Sequence, residues 1–424
     1  MKRWLVFFVV LSLVLLVILP ACGGGSSKEE TPTLTAAVTA TPTSTSTATA
    51  IATATPTAVP TVAPTTTPSS TGPVKIGGIA SWSGPAAASS AISDPMIKLV
   101  EQQVKDMGGI LGGRDVKVIR YDNRASVAEA TAGAQKLMYD DKVSAICWGG
   151  VSGAEGAAIS TFAEQNHILH VDYGAIDNAA QKKYSLSGTV GYTELVGPVV
   201  DLANKVLKPK TVAYLSTDMA DSRERVPLYQ AGMAPSGTKT VYEEYVQLGT
   251  ADMTSFLTKI KYANPDLLII DSGNNELYMT IAQQMQELGG WGTIKVLGLA
   301  PVETAMKMAG AQGWYCDALW VAGLKYPGAI KFQNDYQAMF GRLPTATMVY
   351  YYNGLWTAIY AIKIANTDTD LEKIAYTARF SGLLEWDTPM GHAHYTAESN
   401  GYPQLHPTIT QVQNKQLVAV GIPE

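Results

Sequence analysis

Between Cys147 and Ala158 the chain reads CWGGVSGAEGAA: an apolar strand, glycines gathered around one serine, and the start of an alanine-rich helix. A glycine-rich turn from strand to helix is where α/β proteins hold small molecules. It can cradle a phosphate, carry a nucleophile, or offer hydrogen bonds to a ligand. The run from Gly149 to Gly156 lacks the Gly-Lys-Ser/Thr ending of a phosphate-binding loop and does not read G-x-G-x-x-G. Ser152 is followed directly by Gly153, which is not the spacing of a nucleophile elbow. A catalytic triad also needs a histidine, and the five histidines sit in no such motif. His392 and His394 could share a metal or simply lie on a surface strand, and no Cys/Asp/Glu cluster accompanies them. No metal and no cofactor is expected. The loop still offers the Ser152 hydroxyl and backbone N–H groups at a helix start, whose partial positive charge suits a carboxylate or carbonyl oxygen. The alternative is a tight turn in which Ser152 only caps the helix.

The surrounding chain must place that loop. Val74 to Ala80 reads as a strand, and Ser81-Trp82-Ser83-Gly84-Pro85 as a loop. Met96, Ile97, Val100, Val104 and Met107 keep helical spacing until Gly108-Gly109 stops them. Asp115 to Tyr121 is the next strand, and Ser126 with Glu129 forms a capping box for a helix reaching about Tyr139. Val143 to Trp148 and Ile168 to Tyr173 complete the first series of strands. After about residue 190 the pattern restarts. Strands are expected at Thr211–Ser216, Val241–Val246, Leu267–Asp271 and Ile294–Leu297, with helices around Arg223–Gly232, Thr254–Ala263 and Glu276–Leu288. Such alternation predicts parallel sheets covered by helices on both faces, here two α/β domains. Ligands of such sheets sit beyond the carboxyl ends of the strands, at a topological switch point. The loops there are Ser81–Pro85, Gly149–Gly156, Asp172–Asp177, Thr217–Ser222, Ser272–Asn275 and Gly298–Pro301.

Composition narrows the function classes. The net charge is −5 with 16% charged residues and no basic stripe, which argues against nucleic acid. Lys2 and Arg3 precede an apolar run from Trp4 to Leu19, short for a bilayer span and matching the core of an export signal. Leu19-Pro20-Ala21-Cys22 resembles the lipobox of bacterial lipoproteins, whose cysteine is lipidated; an uncleaved N-terminal anchor is the other reading. Either way the protein is tethered at the extracytoplasmic face of the cell membrane. Two acyl chains on Cys22 are what stable anchoring requires. Residues 23–73 are Thr, Ala, Pro and Ser, a linker unable to bury enough surface to order itself. Its flexible chain spans on the order of 40 Å. Cys147 and Cys316 lie in separate apolar stretches and read more readily as buried free thiols than as a disulfide.

From Val74 to about Gly421 the chain resembles the type I periplasmic binding proteins of the leucine/isoleucine/valine-binding family. The likeness is carried, in order, by VKIGGIASWSGPAA, GGILGGRDVKVIRYDN, AGAQKLMYDDKVSAICWGGVSG and DMTSFLTKIKYANPDLLII. It implies two doubly wound parallel-sheet lobes joined by a three-strand hinge. Lobe one would be 74–191 with 325–384, and lobe two 192–324 with 385–424. A solute would be enclosed as the lobes close, and a membrane permease would recognise the closed form.

Carried over by position, the resemblance makes Ser152 and Gly153 binders of a ligand carboxylate, with Gly174 and Ala175 as the next backbone contacts. The family's threonine at the following position is Ile176 here. Its two tyrosines fall near Asp221 and at Asn274 or Asn275, and its ammonium-pairing glutamate near Ala300. Either Asp172, Asp221 or Glu303 takes that last role, or the ligand is not an ordinary α-amino acid. Trp82 could wall an apolar or ring-bearing ligand, or be a core-edge tryptophan. The function implied is a monomeric, lipid-anchored solute-binding subunit of an ABC importer, not an enzyme, for a branched-chain amino acid or related carboxylate. An extracellular sensor partnering a signalling protein is the alternative.

Overall fold

The computed structural model describes residues 71–421, apart from Pro85, 150–152, 175–180, Leu248, 273–274, 300–304 and His406. The export signal, Cys22 and nearly all of the linker, with Ser152, Ala175, Ile176, Asn274, Ala300 and Glu303, lie outside the described residues.

The first apolar runs build one sheet. β1 (Val74–Ala80) is followed by the short α1 (Ala87–Ser90) and by α2 (Ser93–Asp106), whose Met96, Ile97, Val100 and Val104 are buried as their spacing predicts. Next come β2 (Val116–Asp122), α3 (Val127–Tyr139), β3 (Ala145–Cys147), α4 (Gly153–Asn166), β4 (Leu169–Asp172) and β5 (Ser185–Ser187). They pair in the order β2-β1-β3-β4-β5, all parallel. Half of the expected capping box forms: Ser126 Oγ accepts the Glu129 N–H at 3.4 Å, while the Glu129 carboxylate turns to the Tyr121 hydroxyl. β3 is shorter than its apolar run, because Trp148 leaves the strand with φ +70°.

The second series follows: α5 (Tyr192–Asp201), running on as a π-helical turn, then β6 (Thr211–Thr217), α6 (Ala220–Met233), β7 (Lys239–Val246), α7 (Thr254–Ala263), β8 (Leu267–Asp271), α8 (Asn275–Glu287), β9 (Lys295–Gly298) and β10 (Tyr315–Ala318). Every residue of β8 is buried, as an inner strand of a parallel sheet requires. The chain then returns to the first sheet as α9 (Pro327–Phe340), α10 (Met348–Ala365), α11 (Leu371–Phe380) and the hairpin β11 (Leu384–Thr388)–β12 (Gly391–Tyr395). It ends in β13 (Thr408–Gln413) and β14 (Gln416–Ala419), which add antiparallel to the second sheet. That sheet reads β14-β13-β10-β9-β8-β6-β7.

Two doubly wound α/β sheets are therefore present, as expected from the alternation. The first core takes more of the chain's end than the resemblance implies. Beyond residue 384, Trp386, Met390, Ala393, Tyr395 and Leu405 are buried in it, and Trp386 packs on Trp356 and Tyr360 of α10. Only from β13 onward does the tail join the second sheet. α10 is the axle of the first core, with fourteen of its residues buried, so it shows no polar face. Cys147 is buried in the first core and Cys316 in the second, where its Sγ lies 3.0 Å from Thr410 Oγ1. His392 sits on β12, its Nδ1 2.9 Å from Asp387. Among the described residues, no helix is long and apolar enough to cross a membrane.

The chain passes between the two cores at 188–191, 319–326 and 396–407. The first and third passages are stitched together: Ser187 N–H donates to the Gly401 carbonyl at 2.8 Å, and the Tyr395 hydroxyl to the Ser187 carbonyl at 2.9 Å. Gly188 lies flat on α10, where an added Cβ would come 2.9 Å from the Gly354 nitrogen and 3.0 Å from its Cα. Backbone cannot swing aside there. Gly188→Ala is therefore expected to cost about 1–3 kcal/mol of stability, read as a lower urea midpoint at unchanged slope. An unchanged midpoint would show the passage to be slack.

Candidate functional site

Strand order places the site. In the first sheet the chain goes from β1 outward to β2 and then back across to β3, so the switch point lies between β1 and β3. In the second it lies between β6 and β8. Residues just beyond these strands carry the candidate chemistry.

Beyond β1 and β3 the groups are aromatic. Trp82 is half-buried, and its Nε1–H donates to Asp94 Oδ1 at 2.9 Å. Arg120 donates to the same oxygen at 2.7 Å and lays its guanidinium 5.4 Å from the indole centroid. Trp148 packs 6.5 Å behind Trp82 and is fully buried. A left-handed tryptophan is strained and must be held. His170 Nε2 lies 2.8 Å from the Trp148 carbonyl, and the Trp148 indole donates to the Tyr351 carbonyl at 3.2 Å. Since a carbonyl only accepts, Nε2 carries the proton. Burial lowers the His170 pKa, outweighing the nearby Asp172, so the ring is neutral. Two glycines make room for the indole: a Cβ would fall 2.8 Å from it on Gly78 and 2.9 Å on Gly354.

The glycine loop that follows is shaped by a carboxylate. Asp172, at the end of β4, is buried, and its Oδ1 accepts the Gly174 N–H at 3.1 Å. A Cβ on Gly156 would stand 2.2 Å from Asp172 Oδ2, and one on Gly149 would stand 2.6 Å from the Gly156 Cα. Gly149 and Gly156 are glycines because loop, helix and carboxylate converge. Gly153 opens α4 and is exposed. Asp172 thus sets a negative charge against the first turn of α4, where the helix carries partial positive charge.

At the end of β8, Asp271 is fully buried and forks Arg225, with Oδ2 2.9 Å from Nε and Oδ1 2.6 Å from Nη2. Ser222 Oγ adds a bond at 3.0 Å, and Asp221 pairs with Arg225 Nη1 at 3.0 Å. Tyr192, at the start of α5, places its ring 5.2 Å from the guanidinium. Burial pulls the Arg225 pKa down, but the hydrogen bonds and charge of Asp271, with the charge of Asp221, hold it above the ordinary arginine value. Asp221, expected as a ligand contact, is here a partner of Arg225. Tyr350, from α10, packs its ring 6.1 Å from that of Tyr173; burial raises its hydroxyl pKa, Asp317 adds to the rise and Arg225 opposes it. Tyr173 beside it is raised by burial and by Tyr351, Asp172, Glu155 and Tyr350.

Trp82, Asp172 and Gly174 thus gather at the first sheet and Asp221 at the second. Sequence reasoning missed Arg225, Asp271, Tyr173, Tyr350 and Tyr351. Asp271 carried a signal, a lone acid closing the apolar run LLIID, and Arg225 stands one helical turn after Asp221. The tyrosines of α10 carried none, because only the fold brings residue 350 to residue 173.

The chain matches the family model described as periplasmic binding protein over residues 73–416. It belongs to that family. No curated protein matches it in sequence. Among solved structures it is similar to an ABC transporter substrate-binding protein from Sphaerobacter thermophilus, at 19% identity and TM-score 0.74, covering 82% of this chain and 97% of that one. A solute-binding protein of an ABC transporter from Rhodopseudomonas palustris BisB5, in complex with 3,4-dihydroxybenzoic acid, gives 22%, 0.71, and coverage of 82% and 95%. The branched-chain amino acid transporter substrate-binding protein LivJ from Streptococcus pneumoniae, in complex with isoleucine, gives 19%, 0.68, and coverage of 82% and 100%. The parallel-sheet lobes are those of type I periplasmic binding protein structures.

Removing one half of a buried ion pair strands the other charge. Arg225→Met is expected to cost about 3–5 kcal/mol in urea unfolding, and Arg225→Met with Asp271→Leu to recover most of it. Equal losses in the single and double variants would mean that Arg225 stabilises by packing alone.

Proposed function

We propose that this periplasmic binding protein is the solute-capturing subunit of an ABC importer, tethered outside the cytoplasmic membrane through Cys22 and handing its solute to a permease. The observation that carries the reading is the pairing of two switch points, one aromatic and one charged, on two sheets joined by three passages of chain. That is the layout of a cleft that closes on a hinge, with 188–191, 319–326 and 396–407 as the joints. The similar structures support the role, since they are solute-binding proteins, two of them holding small carboxylates. In this reading residues 1–22 direct export, 23–73 form the stalk, and the chain acts as a monomer without enzymatic turnover.

The solute is a small carboxylate such as an amino acid or a relative. Its acid group would meet Ser152, Gly153, Gly174 and Ala175 around the first turn of α4. Asp172 lies beside that turn, so positive and negative fields stand next to each other, which suits a zwitterion whose ammonium faces Asp172. Asp221 and Asn274 would complete the far wall, with Trp82 on the near one.

A thermal-shift screen of residues 74–424 against amino acids, aromatic acids, amides and polyamines tests the role. Stabilisation without consumption of the compound is expected; turnover of any compound would replace a binder by an enzyme. Ser152→Ala is expected to weaken binding by about 1–3 kcal/mol with melting unchanged in the unliganded protein. An unaltered dissociation constant would remove that loop from the site.

A further inference from the structure

We infer that the first-sheet wall of the cleft is built to take a flat ring, and that Asp94 is the positioning residue that sets the plane of the tryptophan reading it. The inference rests on the solute-binding role proposed above and goes beyond it by naming the shape of the solute. Three half-buried rings, Trp82, Tyr173 and Tyr350, stand at the carboxyl end of the first sheet. Behind them Trp148 and Tyr351 are buried. The five rings form one continuous contact series: Trp82 to Trp148 at 6.5 Å, Trp148 to Tyr351 at 5.0 Å, Tyr351 to Tyr173 at 5.6 Å, and Tyr173 to Tyr350 at 6.1 Å. Tyr351 and Tyr173 are stacked, 17° apart, and the Trp148–Tyr351 and Tyr173–Tyr350 contacts are edge-on. These are the arrangements in which ring quadrupoles attract.

The backing pair cannot turn, since Trp148 is held by His170, Gly78, Gly354 and the Tyr351 carbonyl. Trp82, on the loop after β1, has no such enclosure and needs another anchor. Asp94 supplies it by accepting the indole N–H, and Arg120 bonds the same carboxylate oxygen while covering part of the ring. Asp94 stands in the first turn of α2, outside the loops at the switch points, so its effect on a solute passes through Trp82. A preset indole plane gains ring-on-ring contact without losing side-chain freedom at the moment of binding. An open-chain solute of the same size has no flat face to place there.

The test compares solutes matched in their polar ends: phenylalanine against leucine, and benzoate against pentanoate, each titrated by calorimetry and by tryptophan emission. For at least one pair the ring member is expected to bind roughly tenfold tighter and to quench tryptophan emission. Asp94→Ala is expected to cut that preference to near unity with melting unchanged, Trp82→Leu to do the same, and Trp82→Phe to keep most of it. If the open-chain members bind as tightly as the ring members, the inference falls and the solute-binding role stands. If Asp94→Ala weakens both members of a pair alike, Asp94 is structural and its assignment falls. If no member of either pair nor any compound of the wider screen binds, the role itself falls with it.

Discussion

The placement of Trp148 constrains the first half of this molecule. Its backbone is left-handed, its side chain has no solvent contact, and the groups that touch it come from β1, β4 and α10. A bulky residue holds that conformation only where its surroundings over-determine it. Here the surroundings are also the structural wall: β3 stops where Trp148 turns, Gly78 and Gly354 exist to admit it, and His170 stays neutral beneath its carbonyl. Consecutive glycines of β1 show how the two faces divide, since Gly77 abuts Leu137 of α3 and Gly78 abuts the indole.

The second half solves the same problem with charge. Asp271 closes an apolar strand and is buried, a position that costs several kcal/mol unless the carboxylate is paired. Arg225 pairs it with two nitrogens, and Asp221, Ser222 and Tyr192 complete the enclosure. Neither switch point is left to loop chemistry alone. One is stiffened by interlocked rings and the other by a forked ion pair, so both are held in place at the ends of strands.

Local pattern made most strands and helices legible as far as β9, because their apolar runs had the length and punctuation of the element; β5 and α5, between Tyr173 and Thr211, were not read. The tail was not legible in the same way. α10 is apolar on all sides, so its periodicity names no face, and the hairpin at 384–395 joins the first core through tryptophan packing that no spacing announces. At the site, the glycine run was recognisable as a turn from strand to helix, but the reason for its glycines was not. Gly149 and Gly156 answer to Asp172, sixteen residues beyond Gly156, whose carboxylate needs the space their missing side chains leave. Trp82 could be singled out from its loop position, whereas Asp94 looks like any acid opening a helix.

One chain of contacts ties the joint to the wall. Gly188, in the first passage between the cores, lies close against the Gly354 backbone, and Gly354 lies close against the Trp148 indole. Close-packed interiors transmit strain, and neither glycine has a side chain that could give way. The first passage between the cores and the Trp148 ring are therefore packed in series through α10, so a displacement at Gly188 has no slack to vanish into before it reaches the indole.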